Sequence, residues 1–196
     1  MIRVLMVVLA VCAVELQQEI DPALKAAVDR FLSTQVSEDV DGYLALWSRT
    51  AERPQVHQLR SIFDEGDDKF LDFEITRASI DGATARVRLA VTRVRTVVKI
   101  TNPDGSPRMF SSRVQFSLSY VLEEGEWKLV REGSPVDELA VTLIQTNDSA
   151  IRAKLLQTET DLVTSRLVDA IGRRADQLAQ RNEYRSALWA NRLSVR

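Results

Sequence analysis

Histidine and cysteine bound the chemistry open to this chain, because each occurs once in 196 residues, as His57 and Cys12. A Ser-His-Asp or Cys-His constellation would have to be built on His57, and no metal-ligand set can be assembled from these two residues. His57 stands between Val56 and Leu59, beside Gln55 and Gln58. That is the setting of a helix residue facing water; the alternative is a base lining an apolar cavity. The sequence contains no Walker-type glycine loop, no GxGxxG, no HExxH, no CxxC and no GxSxG. Asp64, Glu65, Asp67 and Asp68 cluster around Gly66 but lack the ligand spacing of a calcium loop, so they read as a solvated turn.

Positive charge concentrates on one segment pair, through Arg86, Arg88, Arg93, Arg95, Lys99, Arg108 and Arg113. Phe110 is the single aromatic among these cations, so the stacking platform of a nucleic-acid binder is poorly supported. They read as the solvated convex face of a sheet, with an anionic partner or ligand as the alternative. The net charge of -2 and pI near 5.6 give no global attraction to nucleic acid or to anionic membrane. Hydrophobic content of 45% with 28% charged residues is that of a globular chain. No cofactor is expected.

The elements that must position any site change period along the chain. Asp21-Pro22 opens a helix with a capping carboxylate and a proline in the first turn, and Leu24, Ala27, Val28 and Phe31 follow at helical spacing. Ser37 is expected to cap a second helix whose apolar face is Val40, Tyr43, Leu44 and Trp47. A third is expected from Pro54, with Leu59, Ile62 and Phe63 on one side and Gly66 at its end. From Phe70 the period becomes two, with a hairpin turn at Asp81-Gly82. Beyond Val87, Leu89 and Val91 the apolar phase flips after Arg93, which predicts a β-bulge in that strand. A turn at residues 102–107 leads to a strand alternating through Val114, Phe116, Leu118, Tyr120 and Leu122. Gly125 then introduces a last strand with Trp127, Leu129, Lys128 and Arg131. After Gly133-Ser134-Pro135 every segment is helical. The expected fold is α+β: three N-terminal helices packed on a curved antiparallel sheet of about four strands, followed by an all-helical tail.

Residues 1–18 read as a signal peptide: one charge at Arg3, an apolar run from Val4 to Val14 too short to span a bilayer, small residues near Cys12-Ala13 and a polar exit. The expected location is therefore secreted or periplasmic. Leu9-Ala10-Val11-Cys12 resembles a lipoprotein box, but Val11 stands where Ala or Gly belongs, so anchoring at Cys12 is the lesser reading.

The order of short helices, curved meander and a closing Gly125-Glu126-Trp127-Lys128-Leu129 resembles the NTF2-like (SnoaL-like, cystatin-type) family over residues 19–134. That family usually has a short strand between its second and third helices, and residues 48–53 show no clear one. In the tail, residues 135–196, Arg152, Leu155, Leu156 and Leu162-Val163-Thr164, followed by Asn182-Glu183-Tyr184, Ala187 and Leu188, resemble the entry to a bacterial tetratricopeptide-repeat protein of the CHAT type. About one repeat is present, where three are normally needed to stand alone.

The NTF2-like resemblance implies acid–base residues at the mouth of a cone, where a dry pocket shifts their pKa values. Asp39, Asp41, Tyr43 and Tyr120 are the residues available, the tyrosines lying on apolar stripes. The expected ligand-facing lining of the cone is Tyr43, Trp47, His57, Phe116 and Tyr120, and the expected partner-facing residues are Tyr184, Leu188 and Trp189 in the tail. The leading expectation is a non-catalytic, exported binding or scaffolding module. Its contacts would be a protein partner or a second copy, with a small apolar ligand possible in the cone, and neither nucleic acid nor a membrane span. The alternatives are a small SnoaL-like enzyme using an Asp or His base, and the N-terminal part of a longer repeat protein.

Overall fold

The computed structural model describes residues 20–181 and Ala190, the side chains of residues 98 and 99 excepted. Helix α1 (Pro22–Val36) opens on Asp21, whose carboxylate accepts from Ala23 N–H at 2.7 Å and Leu24 N–H at 3.2 Å. Helix α2 (Val40–Ala45) is capped by Asp39 rather than by the expected Ser37. The reason lies between them: Glu38 takes a left-handed backbone with φ 55°, which ends α1 at Ser37 and starts the next helix two residues later. Helix α3 (Val56–Asp64) follows, and Gly66, expected to end it, instead begins strand β1 (Gly66–Asp81). A Cβ there would lie 2.3 Å from the Thr96 carbonyl oxygen, so only glycine permits this close start to the sheet.

Strands β2 (Thr84–Thr101), β3 (Pro107–Glu123) and β4 (Glu126–Gly133) complete a four-stranded antiparallel sheet in the order β1-β2-β3-β4. The expected bulge in β2 is absent where the phase flips. β2 pairs with β3 in unbroken register from Thr84 to Val97; its own irregularity falls later, between Val97 and Thr101, and two more fall on β1, at Leu71 and Thr76. The flip has another cause. Arg93 and Arg95 keep the concave-side phase and turn toward Asp68 at 3.8 Å, so the sheet becomes polar at that end. A further irregularity falls in β4. Ser119 pairs with Arg131 but Tyr120 pairs with Leu129, leaving Val130 as an extra residue. Between α2 and α3 the chain adds one parallel bridge, Trp47 to Leu129, with Ser48 N–H donating to Leu129 O at 2.8 Å and Leu129 N–H to Leu46 O at 2.7 Å.

The three helices lie on the concave face and form one apolar cluster with it. Leu24, Val28 and Phe31 of α1 meet Val87, Leu89 and Val91 of β2, Leu118 and Tyr120 of β3, and Trp127 and Leu129 of β4. The chain then leaves the sheet at Gly133. Helix α4 (Pro135–Gln145) is capped by Ser134, and α5 (Ser149–Thr158) by Asp148. A 3-10 turn at Thr160–Leu162 leads to α6 (Ser165–Gln180). Leu139, Ala140, Leu143, Leu162, Leu167, Ile171 and Leu178 make a second apolar cluster with Ala190. Helix α5 has no fully buried residue. No helix among the described residues is long and apolar enough to cross a membrane.

Candidate functional site

Five aromatic rings run in file through the cone. Phe70 and Phe116 are 6.5 Å apart between centroids, Phe116 and Phe31 5.6 Å, Phe31 and Tyr43 6.1 Å, and Tyr43 and Trp47 6.3 Å. The tilted and edge-on geometries are those aromatic pairs prefer. α1 supplies the central ring, α2 and the segment after it supply Tyr43 and Trp47, and β1 and β3 supply the rest. Phe31 is fully buried. Phe73, by contrast, lies at the rim under the Lys25 ammonium, 5.6 Å from the ring centroid.

The polar atoms of the cone converge on Glu132. The Tyr43 hydroxyl donates to the Glu132 carboxylate, and both groups are partly hidden from water. Burial raises the Glu132 pKa above the ordinary glutamate value of 4.5, opposed by the Tyr43 hydrogen bond. Burial and the adjacent Glu132 charge push the Tyr43 hydroxyl well above its ordinary value of 10.0. The same two causes raise Tyr120, opposed by Arg30. The buried Tyr120 hydroxyl has no hydrogen-bond partner among the described residues. The Trp47 indole N–H favours ionisation of Tyr43 through its proximity, yet makes no well-formed hydrogen bond.

Glu132 is the candidate site residue that the sequence reading missed. Regular alternation from Trp127 through Leu129 would turn Arg131 inward and Glu132 outward. The extra residue Val130 shifts that phase by one, so Glu132 pairs with Leu118 and joins the concave side. The weak signal in the sequence was a Trp127-x-Leu129 alternation broken by two adjacent apolar residues, Leu129-Val130, before Arg131 and Glu132.

Of the other expected residues, Tyr43, Trp47 and Tyr120 are buried in the cone, and Phe116 packs against its core. His57 does not line the cone. It is exposed on α3, whose buried residue is Leu59, and positions two apart on a helix face different ways. Asp39 is spent as the cap of α2, accepting from Gly42 N–H at 2.9 Å, and Asp41 is exposed. Tyr184, Leu188 and Trp189 lie outside the described residues. No group of three or more His, Cys, Asp or Glu among the described residues could hold a metal ion.

The convex face carries a second assembly. Arg77 and Arg88 both donate to Glu159, at 2.5 and 2.6 Å, so the carboxylate following α5 clamps the tail to β1 and β2. Burial alone would raise the Glu159 pKa, but the hydrogen bonds and charges of Arg88 and Arg77 outweigh it and hold the value below 4.5. Nearby, Ser117 donates to Glu138 of α4 at 2.6 Å. The basic surface seen in the sequence is thus partly answered within the chain. Two clefts flank these assemblies. One of about 330 Å³ lies at the end of the cone beside Trp47, Arg53, Glu123 and Lys128. The other, of about 400 Å³, lies between the open end of β3 at Val114 and Gln115 and the helices α4 and α6, lined there by Val136, Arg166 and Arg173.

No family model matches the chain, and no curated protein matches it. Solved structures do resemble it, and they are NTF2-like and ketosteroid isomerase-like domains. One is a protein from the NTF2-like family from Streptomyces avermitilis, at 13% identity and TM-score 0.45, covering 56% of this chain and 90% of that one. Another is a ketosteroid isomerase-like protein from Erwinia carotovora, at 16% identity and TM-score 0.46, with 56% and 90% covered. A third is the association domain of C. elegans CaMKII, at 16% identity and TM-score 0.38, with 56% and 89% covered. No residue role is transferred from any of them.

Proposed function

We propose that this chain is a non-catalytic interaction module, with residues 19–134 as its folded core, residues 135–196 as a partial TPR-like tail for partner contacts, and residues 1–18 as an export signal. The observation that carries the reading is the file of five rings. A substrate needs space beside its acid or base, and here Glu132 is engaged by Tyr43, whose ring packs in turn with Phe31 and Trp47. The Glu132 carboxylate already accepts from Tyr43. The surface offers partners what the interior withholds: Ile151, Leu156, Val163 and Val168 stand exposed on the tail.

An enzyme of the SnoaL-like kind is the second reading, favoured by the raised pKa of Glu132 beside the unpartnered Tyr120 hydroxyl. With His57 outside and Asp39 capping a helix, Glu132 would have to be its base. An NMR titration with 8-anilinonaphthalene-1-sulfonate, an apolar probe, separates the two. The module reading expects no saturable shifts at the rings of Phe31, Tyr43 and Tyr120. Saturable shifts there, abolished by Phe116→Trp, would show an open cone and remove the argument from a filled interior. Export is checked by N-terminal sequencing of the protein recovered from the cell envelope or medium, which should begin after the apolar run.

A further inference from the structure

Every sheet has edges, and folded proteins blunt them to avoid pairing with other chains. In this sheet two of the outer edges are blunted. β1 carries irregularities at Leu71 and Thr76, and β4 is covered at Leu129 by Leu46 and Ser48. The third edge is not. β4 pairs with β3 only from Ser117 to Glu123, so Pro107–Phe116 has β2 on one side and no described strand on the other. This is about 30 Å of backbone at the usual strand rise, in regular register with β2 from Arg108 to Phe116. Its centre, Met109 to Ser112, is uncharged, and Met109 and Phe110 are 68% and 43% exposed.

We propose that this edge pairs with the same edge of a second copy of the chain, antiparallel about a two-fold axis through Ser112. The inference rests on the reading of the chain as an interaction module and names its partner. A two-fold axis normal to the sheet keeps concave sides together, so a residue must face itself at the centre. With Ser112 there, Phe110 meets Val114 of the second copy, and both lie on the concave-side phase. Met109 meets Gln115, Ser111 meets Arg113, and Arg108 meets Phe116, repeating the cation–ring contact that Arg108 already makes with Phe110 at 5.2 Å. No like charges stand opposite each other, which is what cross-strand pairing requires. The register also brings the exposed Phe110 and Met109 onto Val114 and Gln115, two residues that line the cleft of about 400 Å³ under α4 and α6. The protruding apolar residues and the hollow are thus on the same strand, spaced so that each copy fills the other.

The test is sedimentation velocity on the full chain across micromolar concentrations, with crosslinking in a Cys12→Ser background. A concentration-dependent dimer is expected. Ser112→Cys should form an intermolecular disulfide under mild oxidation, whereas Ser106→Cys, in the turn, should not. Phe110→Glu, at an exposed position that leaves the fold's circular dichroism unchanged, should weaken the dimer by roughly tenfold or more. A chain that stays monomeric, or a dimer that ignores Phe110→Glu and does not crosslink through Ser112→Cys, overturns the proposal. Either result leaves the module reading itself to be decided by the probe titration of the cone.

Discussion

Two glutamates, Glu132 inside the cone and Glu159 on the back of the sheet, show how differently the halves of this molecule are held. Glu132 lies among aromatic rings, takes one hydrogen bond from Tyr43, and has its pKa raised by burial. Glu159 sits between two guanidiniums, and their pull overcomes burial to hold its pKa down. Around Glu132 the cone is mostly apolar packing. The joint to the tail is drawn together by opposite charges. Packing is insensitive to salt and to mild acid, while ion pairs respond to both. The tail is therefore fastened to the sheet by something that can be undone without unfolding the sheet.

The sharpest way to break the comparison is Phe31→Ala, which removes the middle ring of the file. It should cost about 3–5 kcal/mol in chemical denaturation, whereas no substitution at the joint should approach that. Glu132→Ala comes next, at about 1–3 kcal/mol, because it strands the Tyr43 hydroxyl beside the already unpartnered Tyr120. Glu132→Gln keeps an acceptor for Tyr43 and should cost far less at neutral pH. At the joint, Glu159→Ala should cost about 1–2 kcal/mol, since it leaves Arg88 half-buried and unanswered.

Acid divides the two regions by sign. Because the folded pKa of Glu132 lies above 4.5, its stabilising contribution is full below that pH and is lost as pH rises through the folded value. For Glu159, with a folded pKa below 4.5, the contribution is present above that pH and is lost as pH falls through the folded value. An NMR acid titration should show amides of α5 and α6 shifting at a pH where those of β2 and β3 hold, and Glu132→Gln should flatten the cone's dependence alone. Salt gives the smallest effect: raising it from about 0.05 to about 0.5 M should weaken the joint by less than about 1 kcal/mol. If the Phe31→Ala cost changed by as much, the distinction between the regions would fail.

Local chemistry made much of this fold readable. The Asp21-Pro22 cap, the Asp81-Gly82 turn and the Ser134 cap each act within four residues, and each stands where the sequence puts it. The hidden features depend on partners far along the chain. Glu132 becomes a cone residue only because Val130 is surplus in the pairing with β3, and a surplus has no meaning until the opposite strand is known. Arg88 of the hairpin looked solvated because its carboxylate, Glu159, lies 71 residues further along the chain. His57 looked eligible because a lone histidine invites a role, while the burial of Leu59 sets the face of α3 that turns inward.

The bridge from Trp47 to Leu129 has a consequence in time as well as in space. It ties the segment after α2 to the last strand of the sheet, and the Tyr43–Glu132 contact spans 89 residues in the same way. Contacts so distant in sequence are slow to form, since a long loop must close before they return any free energy. On the ribosome the first helices are complete while most of the sheet is still unmade, and the last of their partners, β4, is not whole until Gly133 has emerged. The cone is thus closed late: residues translated early, Tyr43 and Trp47, wait for Glu132 and Leu129 of the strand translated last.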